Sequence, residues 1–243
     1  MHIQVINPNT SDQMTATIAA AAREAAAPGT SISAVNPVSG PPSIEGHYDE
    51  ALAVPGLLEK VREGESRGVN GHVIACFGDP GLLAAREIAT APVVGIAEAA
   101  MHLATLVAPR FSVVTTLERT CMIAQHLTER YGMTRHCASI RATEIAVLDL
   151  DDPASNALQC ITAMCRRALQ DDGAEALVLG CAGMANMART LSSELGVPVL
   201  EGVSAGVKLA ESLAALGVTT SKTRGLAYPL SKPYSGTMEQ FSP

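Results

Sequence analysis

Val73-Ile74-Ala75-Cys76-Phe77-Gly78 recurs 105 positions on as Val178-Leu179-Gly180-Cys181-Ala182-Gly183. Each string is a short apolar run ending on a cysteine, with a glycine two residues further. Such a run reads as a buried strand of a parallel sheet, because a strand covered on both faces has no polar side to show. The match continues outward from the cysteines. Pro92-Val93 and Pro198-Val199 each open another strand, and small-residue helices follow over 97–107 and 204–216. Upstream, Ile3-Gln4-Val5-Ile6-Asn7-Pro8 is mirrored 108 positions on by Phe111-Ser112-Val113-Val114-Thr115-Thr116.

Two separate features recurring at nearly one offset describe a duplicated chain. Between them, strand and helix signals alternate. A strand over 3–6 is followed by the turn Asn7-Pro8-Asn9-Thr10, and Thr10 or Ser11 caps a helix over 12–26. A strand over 31–35, a helix over 50–64, a strand over 73–75, a helix over 82–89 and a strand from 93 follow. This alternation predicts a doubly wound α/β fold with mainly parallel sheets in two pseudo-symmetric halves. The halves are read as 1–104 and 105–206, with 207–243 packing back on the first. Ligands of open α/β sheets bind at the carboxyl ends of strands, which in a duplicated fold face each other across a cleft.

Composition narrows the class. The 243 residues are 47% hydrophobic and 17% charged, which suits a globular core, and the formal net charge is -7. No Lys/Arg cluster is present, so neither nucleic acid nor an anionic membrane is expected as a partner. No apolar run reaches the roughly 18 residues of a membrane span. The first strand begins almost at Met1 and leaves no room for a signal peptide, so the six cysteines are expected to be reduced, in the cytoplasm.

Cys76 and Cys181 are the residues with a chemical setting. Each ends a strand, and the glycine two residues on lets backbone N–H groups turn toward a ligand. A following helix start adds positive potential, which favours an anion and a thiolate. One such cysteine alone reads as a core residue; a matched pair at repeated strand ends reads as functional. Cys160 and Cys165 fall on different faces of a helix, and Cys121 and Cys137 stand apart. The chain has no C-x-x-C or H-E-x-x-H, no G-x-G-x-x-G at its first turn and no Walker sequence, so neither metal nor nucleotide is expected. His47 and His102 read as satisfied histidines in preference to members of a Cys–His nucleophile pair. The acidic string Glu-Gly-His-Tyr-Asp-Glu at 45–50 reads as a solvated loop or helix start. Asp79 and Glu98 follow strand ends and are placed to face the cleft, unless Asp79 caps the helix after Cys76.

The strings 5–11, 75–81, 95–100 and 179–184 together resemble the aspartate/glutamate racemase superfamily, and within it the allantoin and hydantoin racemases. The resemblance runs over nearly the whole chain. It implies an active site between two halves, a catalytic cysteine from each, no metal or organic cofactor, and a homo-oligomer. It also implies substrate contacts at Asn7, Phe77, Gly78, Thr115, Thr116, Ala182 and Gly183. The glutamate racemase branch carries an Asp where this chain has Asn7, and a His shortly after the second cysteine where this chain has Ala182-Gly183-Met184. Losing both suits a neutral ring, a hydantoin or allantoin, over an amino acid. Alternatives within the superfamily are an aspartate or glutamate racemase, or an enzyme like maleate isomerase or arylmalonate decarboxylase. A non-catalytic small-molecule binding protein would have no use for two matched thiols.

Overall fold

The computed structural model describes residues 1–152 and 154–243. In the first repeat, β1 (His2–Ile6), α1 (Asp12–Ala25), β2 (Ser31–Val35), α2 (His47–Ser66), β3 (Gly71–Ile74), α3 (Leu82–Ile88), β4 (Val93–Gly95) and α4 (Ile96–Val107) follow in order. In the second come β5 (Phe111–Thr115), α5 (Glu118–Arg130), β6 (Cys137–Ala142), α6 (Ala157–Asp171), β7 (Ala176–Leu179), α7 (Ala188–Leu195), β8 (Val199–Glu201) and α8 (Gly202–Ala215). The strands form two four-stranded parallel sheets, ordered β2-β1-β3-β4 and β6-β5-β7-β8. The two orders are one order written twice. Registers repeat as well: Val5 stands beside Val73 as Val113 stands beside Val178.

Alternation along each strand decides what faces what. Ile3, Val5, Phe111, Val113, Ala176 and Val178 point into a core shared by both sheets. Their neighbours Ile6 and Ile74 meet α2 and α3 through Leu57, Val61 and Leu82, on the far side of the first sheet. Val114, Leu177 and Leu179 likewise meet Ile161 and Leu191 of α6 and α7 behind the second. The shared core is filled by α1, α4, α5 and α8, rich in alanine, so its helices pack closely.

The helices that close the two repeats are exchanged. α4 lies against β7 and β8 of the second sheet, whereas α8 lies against β1, β3 and β4 of the first. Glycine makes the contact possible: a Cβ on Gly202 would fall 2.6 Å from Ile96 Cβ, and one on Gly206 2.7 Å from Val73 Cγ1. Beyond α8 the chain runs along the first repeat. Lys222 Nζ reaches the carbonyls of Arg86 and Glu87, and Arg62 donates to the carbonyls of Gln240 and Phe241. After Cys181, where a helix is expected to follow Ala182-Gly183-Met184, a 3-10 segment over Ala182–Met187 precedes α7. Among the described residues no helix is long and apolar enough to cross a membrane.

Candidate active site

The carboxyl ends of β1, β3, β5 and β7 converge on a cleft with roughly 550 Å³ of space, part of it open to solvent. Cys76 reaches it two residues past β3, and Cys181 two residues past β7. Phe77, Gly78, Thr115, Thr116 and Ala182 line it too. Seven of the nine residues expected at the site therefore border one cavity. Asn7 and Gly183 do not. Asn7 is buried, and its amide donates to Asn9 Oδ1 at 2.8 Å and Thr15 Oγ1 at 3.0 Å, so it holds the first turn together and leaves the cavity wall to Asn9. Gly183 lies against Leu150, with its Cβ position 3.7 Å from Cys181 Sγ.

Cys76 is a partly exposed residue that lines the cavity. Burial pushes its thiol well above its ordinary value, and the neighbouring Glu50, Cys181 and Asp79 push the same way. An N–H from Gly78 to the sulfur pulls in the opposite direction and does not prevail. Desolvation thus works against the thiolate that the turn was expected to favour. Thr115 donates its hydroxyl to the Gly180 carbonyl at 3.1 Å, tying the end of β5 to the turn of Cys181. A Cβ on Gly180 would lie 2.8 Å from that of Thr115, so only glycine fits there.

Sequence reasoning missed Glu50. The string 45–50 is the helix start, with α2 beginning at His47, but it is not simply solvated: Ile44 and Glu50 line the cavity, and Glu45 accepts the N–H of Val147 across the cleft at 2.8 Å. The Oε1 atom of Glu50 is buried without a hydrogen-bond partner, and burial raises its pKa. Its other oxygen lies 3.3 Å from His47 Nδ1. A helical signal was available: the buried stripe Ala53-Leu57-Val61-Gly64 of α2, continued one turn back, lands on Glu50.

The remaining candidates lie elsewhere. Asp79 is buried and accepts N–H groups of Ala97 and Glu98 at 3.1 and 2.9 Å, so it caps α4 and not the helix after Cys76. It also accepts the Tyr131 hydroxyl at 2.7 Å, and burial carries its pKa up to about 6. Glu98 pairs with Arg86. His102 turns its ring to the Glu98 carbonyl on the exposed side of α4, and His47 is exposed, stacked on His126.

Residues 3–210 match the family described as Asp/Glu/Hydantoin racemase. This chain belongs to that family. A hydantoin racemase of Pseudomonas sp. (strain NS671) is 49% identical over 99% of this chain and 97% of its own length. The hydantoin racemase of Rhizobium meliloti is 47% identical, covering 97% and 98%. The solved allantoin racemase from Klebsiella pneumoniae superposes with a TM-score of 0.98 at 59% identity, over 100% of this chain and 99% of that one. As a racemase-family member, the protein is an isomerase, and its fold is that of the family.

Proposed function

We propose that the protein is a cofactor-independent two-base racemase inverting C5 of a hydantoin ring, allantoin or another 5-substituted hydantoin, with Cys76 and Cys181 as opposing acid/base thiols. The observation that carries this is that equivalent strand ends of the two repeats bring one cysteine each to a single cleft. Inverting a carbon requires a proton to leave one face and another to arrive at the opposite face. In a hydantoin the C5–H bond lies beside a carbonyl, so its electron pair passes to that oxygen as an enolate. One cysteine, as thiolate, takes the proton and becomes a thiol. The other, a thiol, delivers its proton to the opposite face and becomes the thiolate. Charge is conserved, and the roles exchange in the reverse direction. Desolvation makes the Cys76 thiolate a stronger base, which suits a weak carbon acid. Gly78, Gly183 and the Thr115/Thr116 turn are the groups read as stabilising the enolate oxygen, and Gly78, Thr115 and Thr116 border the cavity.

The choice of ring over amino acid is supported by the named relatives and by the cavity wall. Among the described lining residues Glu50 is the one carboxylate, and neither Lys nor Arg lines the cavity. An amino-acid carboxylate would meet that wall with no cation to offset it. The same reading divides the chain into 1–104 with 207–243, and 105–206, supported by the repeated strand order and by the seat of α8 on the first sheet. It also includes a homo-oligomer in the cytoplasm, a compartment in keeping with cysteines that form no disulfide among the described residues.

Chiral assay on allantoin and on benzyl-, isobutyl- and methylhydantoin, beside aspartate and glutamate, tests the substrate; turnover of the amino acids alone would overturn it. The pair is tested with Cys76→Ser and Cys181→Ser in D₂O. Each variant is expected to lose racemisation by about 10²- to 10⁴-fold, the usual worth of one acid/base group. Each should still exchange the C5 proton of one enantiomer, and the two variants should prefer opposite enantiomers. A shared preference would mean that the thiols do not flank the carbon.

A further inference from the structure

We infer that Glu50 selects and orients the substrate, its free Oε1 accepting a hydrogen bond from a ring N–H of the cyclic ureide. This rests on the hydantoin reading above and names the group that recognises the ring. Of the side-chain N and O atoms buried without a partner among the described residues, Glu50 Oε1 is the one that belongs to a residue lining the cavity; Gln4 Oε1 and His72 Nδ1 lie behind the first sheet. A buried acceptor left unpaired is destabilising, so an unfilled acceptor in a ligand cleft marks where a donor goes. Position agrees. A Cβ on Gly78 would fall 2.0 Å from Oε1, so the carboxylate lies directly over the turn that carries Cys76. The absence of that Cβ is what admits it.

Chemistry agrees as well. A hydantoin offers two N–H donors, one on the nitrogen bonded to the reacting carbon and one between the two carbonyls. Fixing either edge beside Cys76 fixes which face of C5 meets which sulfur. The second oxygen of Glu50 faces His47 Nδ1 at 3.3 Å, which anchors the carboxylate from the outside and leaves Oε1 for the ligand. The wall is then built for a neutral donor, and it opposes an anionic substrate.

Glu50→Gln and Glu50→Ala are compared with wild type on 5-benzylhydantoin and on its N1-methyl and N3-methyl derivatives, with thermal melts to establish that each variant is folded. Losing a hydrogen bond to a charged group should raise KM for the parent ring about 10- to 100-fold in the alanine variant, with a smaller rise for glutamine. In wild type one of the two N-methyl derivatives should suffer a similar loss. In the alanine variant that derivative should suffer little beyond the parent, since the acceptor it has lost is already gone. A folded variant with wild-type KM, or methylation factors that simply multiply with the mutation, would overturn the inference while leaving the racemase reading intact. If wild type racemises none of the hydantoins, the substrate reading fails, and the role of Glu50 fails with it.

Discussion

A thiol that must pull a proton from carbon is helped by being hard to ionise, because the same desolvation that raises its pKa strengthens its thiolate as a base. Cys76 is in that condition, pushed well above the ordinary cysteine value by burial and by the charges around it. It follows that the ligand-free enzyme holds Cys76 mainly as a thiol at neutral pH, and alkylation, which needs the thiolate, should be slow there. With iodoacetamide at pH 7 the exposed Cys160 is expected to be labelled ahead of Cys76. As pH rises, the fraction of Cys76 thiolate grows, so inactivation should accelerate on the alkaline side and be blocked by substrate. Mass spectrometry of partly labelled protein checks the order, and modification of Cys76 ahead of Cys160 at pH 7 would refute it. Residue type and local context made Cys76 and Cys181 legible, because each sits in an apolar strand that recurs. Glu50 was not legible from composition, since an acidic string reads as solvated until the helical stripe behind it is followed. Asn7 shows a further ambiguity: a polar residue at a strand end serves a ligand or its own turn equally well, and here its amide bonds within the turn.

At the scale of elements, the two repeats solve the same problem differently. α4 and α8 both begin directly after a strand and both need their first N–H groups satisfied. Glu201 caps α8 from its own end, accepting from Val203 and Ser204 at 2.7 Å each. The start of α4 is Gly95, which has no side chain, and its cap comes from Asp79 in the turn after Cys76. A Cβ on Gly95 would fall 2.3 Å from the Asp79 carboxyl carbon, so the glycine is what lets the distant carboxylate in. Asp79→Ala should therefore destabilise by about 2 kcal/mol or slightly more, the upper end for a lost cap, because the Tyr131 hydroxyl loses its acceptor too. In a chain of this size that lowers Tm by about 4–8 °C, measurable by circular dichroism; an unchanged Tm would show that α4 needs no cap from the turn. The strands and helices of the first repeat were legible from apolar alternation and from Gly and Pro boundaries, whereas β6 and α5 of the second were not. This long-range cap was not, because nothing near residue 95 in the sequence points to residue 79.

For the whole molecule, the exchanged closing helices and the common core bind the two sheets into one body. Heating should accordingly give a single transition with calorimetric and van't Hoff enthalpies in agreement. Gly202→Ala tests this at the tightest point, where the new methyl would press on Ile96. An overpacked contact of this kind is expected to cost about 2 kcal/mol, lowering Tm without splitting the transition. Two resolved transitions, in wild type or variant, would mean that the sheets melt separately. Duplication was legible from two offsets, but the exchange of helices was not, since the pattern of a helix says which face is apolar and not whose sheet it meets. The repeats are nonetheless unequal around their sulfurs: Glu50 and Asp79 weigh on Cys76, and the position matching Asp79 after Cys181 is Met184. For a substrate with one stereocentre, mirror-image molecules in water have identical free energies. Whatever the lopsidedness of the cleft, then, kcat/KM must come out the same for both enantiomers. Only kcat and KM taken singly can record that one hand is held more tightly and released more slowly than the other.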